Sequence, residues 1–152
     1  MKQRGFTLTE LLIVVAIIGI LAAIAIPNLL SAIDRARQKR TMADMRGIAR
    51  AVEIYHQDWA FYPKGVNAAA LSSQLRPYLQ PTYIRNVPRN DGWGTAFAFY
   101  TDASGDEYTL WAAAQGGQFG TVTYGRTTTN FEADIVYFCG NFAQWPEGMQ
   151  TE

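Results

Sequence analysis

The sequence predicts an α+β fold: one long amino-terminal helix packed on a small antiparallel β-sheet. Three observations predict it. Residues 11–26 read LLIVVAIIGILAAIAI without a charge, and no proline lies between Pro27 and Pro63. Met45, Ile48, Val52, Tyr55 and Trp59 then recur at spacings of three and four, one apolar stripe of a helix. The carboxy-terminal part carries short apolar and aromatic runs between Gly, Pro and Asp turns. That part alone buries little core, so the striped helix is expected to belong to its domain.

The chain has 152 residues, with thirteen basic and thirteen acidic side chains. A net charge of zero gives no global argument for nucleic acid. The zero is a sum of unlike parts. Lys2 and Arg4 precede the apolar run, residues 28–62 hold six basic and four acidic residues, and residues 63–152 hold five and eight.

A positive amino end before an apolar run marks membrane insertion with that end in the cytoplasm. A helix from Phe6 to Ile26 covers about 31 Å, close to a bilayer core. A cleavable secretory signal fits less well, because Leu29, Leu30 and Ile33 extend the pattern and Glu10 sits at its start. A carboxylate on an apolar helix needs a partner. It can sit at headgroup level near Lys2 and Arg4, or pair with a cation such as an amine created at Phe6. Gly19 and Pro27 are weak points where the helix can bend or melt.

Along residues 28–62 the helix is amphipathic, with Gly47 its internal weak point. The basic cluster Arg35, Arg37, Lys39 and Arg40 reads as a solvated face, or as a contact for acidic groups of neighbouring subunits or lipid headgroups. It is too short, and too poor in aromatics, to suggest nucleic acid. His56 is the only histidine and reads as an ordinary helix residue.

Tyr62–Pro63–Lys64–Gly65 is expected to stop the helix. Asn67 can cap a short helix from Ala68 to Leu75 or Leu79, interrupted near Pro77. Strands are expected at Ala96–Tyr100, Tyr108–Ala114, Asp134–Cys139 and Phe142–Trp145, the last ended by Pro146. Asp102–Asp106 reads as a turn, residues 115–130 as an exposed loop, and Gly140–Asn141 as a tight turn. Cys139 would share a face with Ile135 and Tyr137 as a buried free thiol, but both faces of that strand are apolar. No catalytic pattern emerges: Ser72, Ser73 and Ser104 have no histidine partner, and phosphate-binding loops are lacking.

GFTLTELLIVVAIIGILAAIAIP, residues 5–27, resembles the leader region of type IV pilins and type II secretion pseudopilins. The resemblance implies cleavage by a prepilin peptidase between Gly5 and Phe6 and N-methylation of Phe6. It implies that Glu10 neutralises the amino terminus of an adjacent subunit during assembly, and that Pro27 bends the helix. A helix ending in FYP, then ALSSQLRPYL and YIRNVPRNDGWGTAFAFY, is similar to the major pseudopilin (general secretion pathway protein G type). Pro88, Asp91, Trp93 and Gly94 fit that pattern, whereas Gly92 replaces an expected proline. Such pseudopilins commonly hold calcium in a carboxy-terminal loop. Here the first part of that loop, residues 111–117, has no carboxylate, leaving Asp134 and Glu132 as candidate calcium ligands. No other cofactor is expected. The lone Cys139 departs from disulfide-bearing pilins.

The expected organisation is a leader (1–5), a membrane and filament-core helix (6–27), an amphipathic helix half (28–62) and a small α+β domain (63–152). The expected function is structural, not enzymatic: the major pseudopilin of a type II secretion system. The alternatives are a type IV pilin in a surface fibre, and a monomeric membrane-tethered binding module. Expected partners are further copies in a helical filament, a prepilin peptidase, an inner-membrane platform with its ATPase, minor pseudopilins or pilins, and lipid before assembly. The expected location is the bacterial inner membrane, single-pass with a cytoplasmic amino terminus and a periplasmic (or, in a pilus, extracellular) domain.

Overall fold

A computed structural model describes residues 5–68, 74–122 and 124–151. The chain forms two compact units, Met1–Asp34 and Arg35–Glu152. One helix, α1, runs Leu8–Trp59 and is assigned helical through Gly19, Pro27 and Gly47.

In the second unit the stem, α1 from Arg35 onward, supplies one wall of the core. Met45, Ile48, Ala49, Ala51, Val52 and Tyr55 are buried against Val66, Leu75, Leu79, Phe97, Phe99, Tyr108, Leu110, Ala112 and Ile135. Each large apolar side chain removed from water contributes about 1.5–3 kcal/mol. The predicted stripe is therefore the core face, except at its end. Trp59 is 57% exposed and donates its indole N–H to the Tyr83 hydroxyl. Gln38 and Thr41 are also buried on the stem. The helix ends at Trp59, just ahead of the Tyr62–Gly65 stop signal, where Ala60 turns to a left-handed φ of 60°.

Among the described residues the sheet has six strands: β1 (Asn67–Ala68), β2 (Ala98–Thr101), β3 (Tyr108–Ala112), β4 (Arg126–Asn130), β5 (Ile135–Phe138) and β6 (Asn141–Thr151). Their order is β1-β2-β3-β5-β6-β4. The α+β class stands, with a small sheet on a long helix. The sheet is mixed, since β4 pairs with β6 in parallel. Side chains alternate across it, so Tyr108, Leu110 and Ala112 of β3 meet the stem. Ile135, Tyr137 and Cys139 lie on that same side, which settles the facing that two apolar sides of β5 left open.

Four local expectations change. Asn67 does not cap a helix; it pairs with Tyr100 in β1, and residues 69–73 lie outside the description. The short helix, α2, is Arg76–Leu79, with Pro77 in its first turn, where a missing amide donor costs nothing. Residues 126–130 are not loop. RTTTN is an edge strand with only Thr128 buried, so its polarity hid it. Pro146 does not end β6. Beyond Gln144 that strand pairs only with β4, so one side needs no donor at Pro146.

Two turns organise the sheet. Cys139 and Gly140 both have positive φ, 36° and 93°, and link β5 to β6 as a two-residue hairpin loop. The thiol is free and half-buried, accepting the Tyr108 amide at 3.3 Å. Between β2 and β3, Asp102 Oδ1 accepts the amides of Gly105, Asp106 and Glu107 at 3.1, 2.8 and 2.9 Å, and Ser104 donates to Oδ2. The Glu107 amide, with the Ser104 hydroxyl and the other two amides, holds the Asp102 carboxyl down to about 2. A depressed carboxyl stabilises the turn at all pH above the ordinary Asp range and loses that effect as pH falls towards 2.

Glu53 joins stem to sheet. Its Oε1 accepts the hydroxyl of fully buried Tyr108 at 2.9 Å and its Oε2 that of Tyr62 at 3.1 Å. Burial and the Glu53 charge push both phenols well above their ordinary range, so both remain donors. Glu53→Ala would leave the Tyr108 hydroxyl buried without its acceptor. The expected cost is about 1–3 kcal/mol, read by denaturant unfolding, with Glu53→Gln retaining most of the stability.

Candidate functional site

The first unit presents an apolar helical surface. Every large apolar side chain from Phe6 to Ile33 is exposed, from 40% at Ile33 to 80% at Leu8. The segment is long and apolar enough to cross a membrane. Contiguous apolar surface of this extent needs lipid or other protein to cover it.

Glu10 interrupts that surface in a defined way. Thr7 donates its amide (2.9 Å) and hydroxyl (2.7 Å) to Glu10 Oε2, and the Glu10 amide returns to Thr7 Oγ1 at 3.2 Å. This is a capping box: a Thr side chain and a Glu three residues on satisfy each other's orphan amides. The carboxylate is thus held at the positive end of the helix, where negative charge is favoured. Both bonds fall on Oε2, and Oε1 has no partner among the described residues. Sequence reasoning singled out Glu10 and missed Thr7, although T-x-x-E was the signal. Phe6, 79% exposed, directly precedes the box.

Pro27 sits inside α1. It removes the amide that Ala23 would have accepted. One residue on, the Asn28 side chain donates to the Ile24 carbonyl at 2.9 Å, an added tie across this turn.

In the second unit, the asparagine–aspartate–glycine–tryptophan–glycine loop at 90–94 lies against the stem. Asp91 is buried, and its Oδ1 accepts the Trp93 and Thr95 amides, both at 2.9 Å. The Gly92 amide donates to Thr41 Oγ1 at 2.9 Å. A Cβ at Gly92 would stand 2.5 Å from the Arg37 carbonyl oxygen. Glycine at this position therefore lets loop and helix backbones touch.

The candidate calcium ligands line one polar cavity of about 310 Å³, with Thr128, Asn130 and Arg126. Asp134 is buried, and its Oδ2 accepts the Gly120 amide at 2.7 Å. Burial pushes its carboxyl up, opposed by that amide. Thr128 Oγ1 is buried without a partner. Calcium takes six to eight oxygens. Among the described residues no three His, Cys, Asp or Glu side chains cluster as a metal site. One Asp134 oxygen is engaged by Gly120, and Arg126 lines the same wall.

Comparison with known proteins now bears on these two units. Residues 1–26 match the prokaryotic N-terminal methylation motif. Residues 28–131 match the type II secretion system (T2SS), protein G family. The chain belongs to that family. Type II secretion system core protein G of Escherichia coli (strain K12) is 32% identical over 127 residues, 79% of this chain and 87% of the relative. Its namesake in Vibrio cholerae is 34% identical over 129 residues, 79% and 88% of the two chains. That of Pseudomonas aeruginosa is 29% identical over 126 residues, 78% and 88%. No solved structure matches the chain.

Against the family pattern, Gly92 stands where proline was expected, and the contact with Arg37 gives the reason. Gly92→Pro would delete the amide bonded to Thr41 and press ring atoms onto helix backbone. The expected loss is about 2–4 kcal/mol, visible as a lowered unfolding midpoint.

Proposed function

We propose that this chain is the major pseudopilin of a type II secretion system, a structural subunit whose apolar helices pack into the core of a helical filament. The observation that carries the reading is the wholly exposed apolar helix opened by the Thr7–Glu10 box, in a chain of the protein G family. Lipid covers that surface before assembly, and like helices cover it afterwards, so neither step exposes it to water. The family match favours this reading over a surface pilus or a monomeric tethered module.

Lys2 and Arg4 stay cytoplasmic and the domain lies in the periplasm. A prepilin peptidase cuts between Gly5 and Phe6, and Phe6 is then N-methylated. The new amine lies next to the capping box. Thr7 holds Glu10 Oε2, and Oε1 faces the amine of an adjacent subunit. Such a pair is strong in an apolar core, and the unpaired charges are costly there. Pro27 supplies a point where the packed helices adjust. An inner-membrane platform and its ATPase supply the work, and minor pseudopilins share the filament.

Mass spectrometry of chain extracted from membranes should find a product starting at methylated Phe6. In the same cells Glu10→Ala should reduce sheared or pelleted filament at least tenfold while the domain stays protease-resistant. Undiminished filament from Glu10→Ala would overturn the assembly role given to the carboxylate.

A further inference from the structure

The stem carries cations that make no ion pair among the described residues. Arg35, Lys39, Arg46 and Arg50 fall within an arc of roughly 60° on the helix, at 100° per residue. All four are exposed and make no ion pair among the described residues. Arg46 lies over the Phe142 ring at 5.1 Å, which fixes its guanidinium on the surface. Arg46 and Arg50 line an open cleft of about 490 Å³ with Glu53, Tyr137 and Phe142. Glu53 is the carboxylate of that cleft, and both of its oxygens already hold tyrosine hydroxyls. At the other end of the stripe, Pro146, Gly148 and Gln150 of β6 share a cleft with Arg35 and Lys39, and the exposed Glu147 is their neighbour in the chain. The uncompensated centre is therefore Arg46 and Arg50.

The opposite charge sits in a turn beside the chain just past α1. In the β2–β3 turn, Asp102 is turned inward onto three amides, and the side chains of Asp106 and Glu107 remain exposed without an ion pair among the described residues. The Tyr62 amide donates to the Gly105 carbonyl at 2.8 Å, tying the turn to the chain just past α1. Lys64 is beside this turn, but its ammonium lies over the Phe61 ring at 4.7 Å. From Arg46 and Arg50 to the end of α1 the distance along the axis is about 14–20 Å.

On the reading of the chain as a filament subunit, we propose that neighbouring copies dock by charge, the Arg46–Arg50 stripe of one receiving the Asp106–Glu107 turn of the next. A copy displaced along the stem direction offers its acidic turn to the basic cleft of its neighbour. Each copy donates one surface and accepts at a different one, so the contact is heterologous and propagates without closing. Exposed pairs are individually weak and salt-screened. Their value lies in fixing register, since a misplaced copy sets like charges together.

The test is a charge exchange in the full chain, expressed with its assembly system and scored as pelleted filament. Arg46→Glu with Arg50→Glu should lower filament yield at least tenfold, and Asp106→Lys with Glu107→Lys should do the same. All four changes together should restore at least half of the parental yield. Limited proteolysis of each variant in detergent verifies the fold. If the folded variants with one surface reversed assemble normally, or if the folded fourfold variant stays as poor as either double, the contact is overturned. An effect confined to the arginine reversals also overturns it, and would assign the stripe to anionic lipid headgroups. Failure of the parental chain to form filament would instead sink the filament reading itself.

Discussion

A helix without an aqueous face has to be covered at every stage of its existence, and that constraint governs the rest of this chain. From Phe6 to Ile33 the large apolar side chains are exposed on all sides. An isolated carboxylate on such a surface would be an expensive addition. Its persistence is explained by the Thr7 bonds, which satisfy one oxygen locally and leave the other available. On the proposed assembly, the apolar surface drives association without direction, whereas the second carboxylate oxygen gives it a position. Burial and specificity are thus supplied by different atoms of the same segment.

The second unit faces the opposite demand: a small sheet must be held on a helix by few contacts. Apolar packing from Met45 to Tyr55 does most of this. Two polar devices fix the geometry. Glu53 satisfies the hydroxyls of Tyr108 and Tyr62, which the core would otherwise bury at a penalty. Thr41 receives the Gly92 amide, and glycine lets the 90–94 loop press against the Arg37 backbone. Both devices use stem residues whose partners are far away in sequence.

That distance explains what was legible. The apolar run, the stem stripe and strands β2, β3 and β5 follow from periodicity, because their partners are set by local spacing. The leader motif made Glu10 and Pro27 stand out. Thr7 was equally readable as the first residue of a capping box, since T-x-x-E is a local pattern. Glu53 looked like one more helix charge, since nothing local marks an acceptor for Tyr108. β4 was hidden by its polarity, and Pro146 looked like a strand end because proline's cost depends on which side a strand is paired. Asn67 has the chemistry of a cap and instead joins β1, where pairing with Tyr100 decides.

The carboxy-terminal loop shows how a buried carboxylate ties a polar segment to the sheet. Asp134 remains buried where a family metal ligand is expected, yet residues 111–117 supply no carboxylate to share a cation with it. A buried carboxylate needs donors. The Gly120 amide provides one at 2.7 Å, and the same bond draws the 116–120 segment back onto the start of β5. Gly120 leaves only 3.7 Å between a built Cβ and Asp134 Oδ2, so the approach is close but open. In this chain a main-chain donor draws the loop onto the strand. Burial raises the Asp134 carboxyl, and the single Gly120 amide opposes that shift.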